Sequence, residues 1–155
     1  VELGSAGTID TGTFSTKKFL WVEFLTANDS VTSNYAIRFN NTSNSEYSFR
    51  YNINGGTDAA TADREAIQTM VSGSSGQFWN GTTVFISNSA DAEKLAIVWN
   101  NADVTTGAAN APSRDEIVGK WANTSNQISQ IQLCNDSGLL LDQKAKSILK
   151  VWGGG

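Results

Sequence analysis

Asp63 and Glu65, Asp91 and Glu93, and Asp115 and Glu116 are the local pairs of acid groups in this chain, and a pair of carboxylates is what glycoside hydrolysis requires. Such a pair works across a cleft, at a separation set by the fold and not by adjacency in sequence. All three pairs therefore read as solvated charge. The chain has no histidine, which removes the usual general base, the usual zinc ligand and every Ser/His or Cys/His nucleophile system. Its single cysteine, Cys134, can form no intrachain disulfide and reads as a buried thiol.

Asn28-Asp29-Ser30 and Asn135-Asp136-Ser137-Gly138 offer oxygen ligands, but neither has the spaced acids of a dedicated calcium loop, and both read as turns. Gly73-Ser74-Ser75-Gly76 lacks the lysine of a phosphate-binding loop. No cofactor, no metal and no enzymatic activity are expected.

The remaining chemistry is aromatic. Trp79 stands in the turn-like stretch Gly76-Gln77-Phe78-Trp79-Asn80-Gly81, and Trp99 precedes Asn100 and Asn101. An exposed ring beside amide side chains can hold a sugar by stacking and hydrogen bonding, so Trp79, Asn80, Trp99, Asn100 and Asn101 are candidate glycan contacts. The same rings could instead close the open ends of a sandwich or pack against another subunit. In Phe19-Leu20-Trp21-Val22-Glu23-Phe24-Leu25 nearly every side chain is apolar, as in a central strand covered on both faces or an edge covered by a partner. Phe19, Trp21 and Phe24 are the candidate interface residues.

These residues need a scaffold, and 155 residues suffice for one domain with a core of its own, spanning 1–155 with Gly153–Gly155 as a flexible end. The 11 basic and 15 acidic side chains are scattered, leaving no footprint for nucleic acid or an anionic membrane. No apolar run reaches the ~20 residues of a membrane-spanning helix, and Val1–Ser5 lacks the features of a signal peptide, so a soluble chain is expected.

Short apolar runs between clusters of Asn, Ser, Thr and Gly predict an all-β antiparallel sandwich, jelly-roll-like, of about 8–10 strands with at most one short helix. Tyr47 to Ile53 alternates strictly, and Asn34 to Asn40 does so with Tyr35, Ile37 and Phe39 inward. Further strands are expected at 8–14, 17–26, 83–88, 94–100, 117–121, 128–133 and 147–152. Thr61 to Val71 is the best helical candidate, and Ala102 to Ser113 reads as a surface loop. The tetrapeptide Asn-Thr-Ser-Asn occurs at 41–44 and again at 123–126. Because Asn tolerates the left-handed region and Ser and Thr bond to nearby backbone, each copy is expected to close a hairpin. Asn28, Asn40, Asn41, Asn80, Asn123 and Asn135 each begin an Asn-x-Ser/Thr triplet, at the frequency such a composition produces by chance.

Phe85-Ile86-Ser87-Asn88-Ser89-Ala90-Asp91-Ala92-Glu93-Lys94-Leu95-Ala96-Ile97, the stretch from Thr106 to Ser125 and the closing Val151-Trp152-Gly153 resemble poorly characterised proteins of bacteriophages and other environmental tailed or archaeal viruses. The resemblance covers the second half well and the first half through its strand layout. It implies a jelly-roll-like virion protein that decorates a capsid or builds a tail appendage or fibre, and carries over no site residues. The expectation is thus a non-enzymatic structural protein on a virion surface, self-associating as a homotrimer and contacting other virion proteins. The alternative is a carbohydrate-binding module that recognises a cell-surface glycan.

Overall fold

In the computed structural model, residues 1–27, 34–70, 79–103, 107–135 and 137–155 are described. Asn28-Asp29-Ser30, Val71, the Gly73–Gly76 run, residues 104–106 of the expected loop and Asp136 lie outside them. The described residues form twelve strands and no helix. They are β1 (Gly7–Thr8), β2 (Phe19–Thr26), β3 (Tyr35–Phe39), β4 (Tyr47–Ile53), β5 (Ala59–Arg64), β6 (Ile67–Gln68), β7 (Asn80–Ser87), β8 (Lys94–Ala102), β9 (Ser113–Trp121), β10 (Ile131–Asn135), β11 (Asp142–Gln143) and β12 (Ile148–Gly154).

A seven-stranded antiparallel sheet of order β12-β2-β7-β8-β9-β4-β5 is joined by a three-stranded sheet, β10-β3-β6, and the short pair β1-β11. The all-β antiparallel sandwich expected from the composition is the fold observed. Every second residue of the large sheet points inward. Leu20, Val22 and Phe24, Val84 and Ile86, Ala96 and Val98, Ile117 and Trp121 meet Ile37, Phe39, Ile67, Ile131 and Leu133 of the small sheet in one buried cluster. Beyond β10, residues 9–14 follow its free edge: Leu133 N–H donates to Ile9 O, Thr11 N–H to Ile131 O and Phe14 N–H to Ser129 O. The strand expected at 8–14 is thus an irregular edge following the two residues of β1.

Neither Asn-Thr-Ser-Asn copy closes a hairpin. The first links β3 of the small sheet to β4 of the large one, and the second links β9 of the large sheet to β10 of the small. Both are corners where the chain changes sheets, and they lie side by side because Phe39 pairs with Ile131 while Tyr47 pairs with Trp121. The turn chemistry is as anticipated, with Asn40 and Asn41 at φ of 50° and 55°. The Asn40 side chain stitches the corners together, its Oδ1 accepting from Ser129 N–H at 2.9 Å and Gln130 N–H at 3.1 Å while its Nδ2 donates to Gln127 O at 2.8 Å. Inside the bend, Phe39, Tyr47 and Trp121 pack with ring centroids 5.8–6.2 Å apart. Trp121 Nε1 donates to Glu46 Oε2 at 2.9 Å.

Over its described residues, 61–70, the helical candidate forms no helix. Thr61 to Arg64 belong to β5, where an extra residue opposite β4 and a φ of 54° at Asp63 make a bulge, and Ile67 and Gln68 form β6. Ala66 to Met70 are all buried, so packing against β3 and β9 overrides the helical spacing of Ile67 and Met70. Gly119 makes that approach possible: a Cβ there would lie 2.8 Å from Ile67 Cγ2. Gly119→Ala is therefore expected to lower the unfolding free energy by ~1–3 kcal/mol through overpacking. Denaturant titration reads the loss, and adding Ile67→Val, which keeps both Cγ atoms and so the 2.8 Å contact, should return little of it.

Candidate functional site

The residues that suggested hydrolytic chemistry are not brought together. Asp115 is buried on the inner face of β9 while Glu116 is on its outer face, and Asp91 and Glu93 are exposed near the turn before β8. No group of three or more His, Cys, Asp or Glu able to hold a metal occurs among the described residues. Cys134 is buried, with Sγ donating to Ala36 O at 3.6 Å. Lys94 is a buried cation at the end of the core, donating at 2.8 Å to Ala92 O and to Asn123 O, with Nζ 5.8 Å from the centre of the Trp121 ring. Burial lowers its pKa, opposed by the charge of Asp91. With two carbonyls and a ring against it, Lys94 fastens the second corner.

A second polar cluster lies on the outer side of the small sheet. Arg38 donates to Gln132 Oε1 at 2.7 Å, Gly138 O at 2.7 Å and Asn41 Oδ1 at 2.9 Å. Asp10 accepts from Gln132, from Gln130 and from Gly12 N–H. These bonds tie the amino-terminal segment to β10.

The distinctive surface is the outer face of the large sheet. Where the inward parity of each strand builds the core, the outward parity should be polar. Here much of it is aromatic and aliphatic. Cross-strand pairing aligns Trp152, Trp21, Phe85, Ile97, Val118, Arg50 and Ala60 in one row across all seven strands. Phe19 and Leu95 lie in the row on one side, and Trp99 in the row on the other. Phe19, Trp21, Phe85, Leu95, Ile97, Trp99, Val118 and Trp152 are between 36% and 57% exposed. Phe85 stacks on Phe19 at 6.0 Å and meets Trp21 edge-on at 6.3 Å, so the rings form a continuous surface.

At roughly 100 Å² of exposed surface per half-exposed large side chain, these eight residues present on the order of 800 Å². The largest apolar patch of a typical monomer is ~300–600 Å². Toward β5 the face dips into a depression of about 610 Å³ lined by Leu95, Ile97, Val118, Arg50, Lys120 and Ala60.

Of the interface candidates, Phe19 and Trp21 lie on this face, but Phe24 is only 3% exposed and belongs to the core. In β2 the even-numbered residues Leu20, Val22 and Phe24 point inward, and Phe24 shares their parity. Of the glycan candidates, Trp79, Trp99 and Asn101 are exposed, whereas Asn80 and Asn100 are 1% and 2% exposed on the inner side. Their amide N–H groups are engaged there: Asn80 Nδ2 donates to Thr26 O at 3.0 Å and Asn100 Nδ2 to Thr82 Oγ1 at 2.7 Å. Trp79 sits just before β7, four residues from Thr83, the cross-strand partner of Trp99. At ~3.3 Å per residue the two rings attach about 13 Å apart along the strand. Phe85, Leu95, Ile97, Val118 and Trp152 were not among the candidates. Their signal was present in β8, where Leu95 to Trp99 is apolar at both parities.

Compared with known proteins, the chain matches no family model, no curated protein and no solved structure.

The Asp10 cluster has a pH consequence. Burial works to raise the Asp10 pKa, but the side-chain bonds from Gln130 and Gln132, the Gly12 N–H and the charge of Arg38 together hold it below the usual carboxylate range. A carboxyl with a lowered folded-state pKa contributes stability that is present above about pH 4 and lost as pH falls through the folded value. Acid titration of stability should therefore show a falling limb below about pH 4, and Asp10→Asn should flatten it.

Proposed function

We propose that this protein is a non-enzymatic structural component that self-associates through the outer face of its large sheet. In this account it serves as a jelly-roll-like building block on the surface of a virus particle, on a capsid or a tail appendage. The observation that carries self-association is the apolar row from Trp152 to Val118, backed by two flanking rows and exposed to water. The viral setting rests on the resemblance of 85–97, 106–125 and 151–153 to proteins of tailed and archaeal viruses. A domain with a stitched core, a charged rim and an unusually apolar flat face suits an assembly unit whose working surface is a protein–protein interface.

A second reading is a carbohydrate-binding module, favoured by the surroundings of Trp99. Its ring borders a shallow depression of about 210 Å³ that Asn52, Asp58, Arg50 and Glu116 also line. A ring next to short polar side chains is the arrangement a pyranose needs for stacking and hydrogen bonding. The expectation from this reading is a glycan-array signal that Trp99→Ala removes.

Light scattering over a wide concentration range tests self-association without any guess about ligand. The wild-type chain should exceed the mass of one subunit. Trp21→Ala and Val118→Glu should weaken association by ~2 kcal/mol or more as central interface positions, and lower the unfolding free energy of the single subunit by only ~1 kcal/mol, the worth of a cross-strand pair, because both side chains are about half exposed there. A monomer at all concentrations would overturn the assembly reading. Particles of the encoding virus should contain the chain, and their complete lack of it would remove the viral setting.

A further inference from the structure

We infer that the outer face is covered by a second copy of this chain, packed face to face about a two-fold axis that passes near Ile97. This rests on the self-association proposed above and specifies its geometry, in place of the trimer anticipated from the sequence.

Three observations lead to this arrangement. The apolar area fits: on the order of 800 Å² per copy is what each partner contributes to a standard stable interface.

The charges also fit. The outer face and its margin carry Arg50, Arg114, Lys120 and Lys150 against Glu23, Glu93 and Glu116, so both signs are nearly balanced although the whole chain has a formal net charge of -4. Several are already neutralised locally, with Lys120 2.9 Å from Glu93 and Arg114 3.8 Å from Glu116. A face of one sign would repel its copy, whereas this one approaches its copy without a like-charge penalty.

Thirdly, both edges of the large sheet carry features that hinder the competing mode of strand addition. β5 is bulged at Asp63 and ends on the charged pair Asp63 and Arg64. The outer edge of β12 is already met by the amino terminus, Leu149 N–H donating to Val1 O at 2.9 Å and Leu3 N–H to Ser147 O at 3.0 Å.

The position of the axis follows from topology. β8 is the middle strand of seven, and Ile97 lies in its apolar row. When two identical faces overlap fully in an isologous contact, the residue at the centre meets its own counterpart whichever way the axis runs in the plane of the sheet. Sheets packed in this way sit ~10 Å apart, with strands about 30° from alignment. The depression over β8, β9, β4 and β5 then receives side chains from the opposing rows.

The test is site-directed cross-linking with a short bismaleimide. Ile97→Cys is made in a Cys134→Ala background, and Leu139→Cys, an exposed position away from this face, serves as control. Neither new cysteine replaces a core residue, and the solution mass of the wild-type chain is measured alongside. The proposal expects a wild-type dimer and cross-linked dimer from Ile97→Cys at least roughly tenfold faster than from Leu139→Cys, reflecting the effective concentration of paired sites. Equal rates for the two cysteines, with the wild type still self-associating, would overturn the face-to-face geometry and leave self-association standing. A wild-type trimer without fast linkage at Ile97 would do the same. A wild-type monomer throughout, with equal slow rates, would overturn both. A wild-type monomer whose Trp99 is perturbed by a glycan would assign the face to sugar binding.

Discussion

The structure depends on the paired corners at which two stretches of chain change sheets together. β3 and β10 run side by side in the small sheet, β9 and β4 side by side in the large one, and each partner bends at an Asn-Thr-Ser-Asn turn. The Asn40 carboxamide satisfies backbone groups of the opposite corner, and Phe39, Tyr47 and Trp121 fill the angle of the bend. Burial pushes the Tyr47 phenol up to about 12, so its hydroxyl stays neutral and bonded to Thr42 and the Phe39 backbone. Because the bent ribbon belongs to both layers, it fixes their separation and determines which parity of each strand faces inward.

Once that parity is fixed, so is the composition of the outer face. Each strand of the large sheet has to present half its side chains to water, and in β2, β7, β8, β9 and β12 many of these are aromatic or aliphatic. No single residue there is unusual, since isolated apolar side chains are common on surfaces. Alignment makes the difference: hydrogen-bond register carries one outward position per strand into the same row, and the row is too broad to be incidental. Fold and proposed function thus follow from the same register.

Much of the strand layout was legible in the sequence because period-two alternation is a local signal. β4 falls at the expected residues, and β2, β3 and β8 differ at their ends. The pairing of the corners was not legible. An Asn-rich turn reports its backbone conformation but not whether the flanking strands share a sheet, and the partner of each corner lies some 80 residues away in the chain. For the same reason Phe24 was misassigned, as an almost wholly apolar strand shows no inward parity until β7 and β12 fix its register. Asn80 and Asn100 looked like surface amides because Asn usually is one, yet both fall on inward positions of β7 and β8 and satisfy one another's neighbourhood at the end of the core. Trp99 was identified from the amides beside it and Trp21 from the apolar run around it. Their membership of one surface with Phe85, Ile97, Val118 and Trp152 exists only across strands.

The central claim is that this outer face is covered when the protein is at work. Hydroxyl-radical footprinting of the wild-type chain, dilute and concentrated, tests it most directly. The account predicts that Trp21, Phe85, Ile97 and Trp152 lose reactivity as concentration rises, while exposed Leu139 keeps its own. Unchanged reactivity of the row, in a sample whose mass has nonetheless increased, would contradict it.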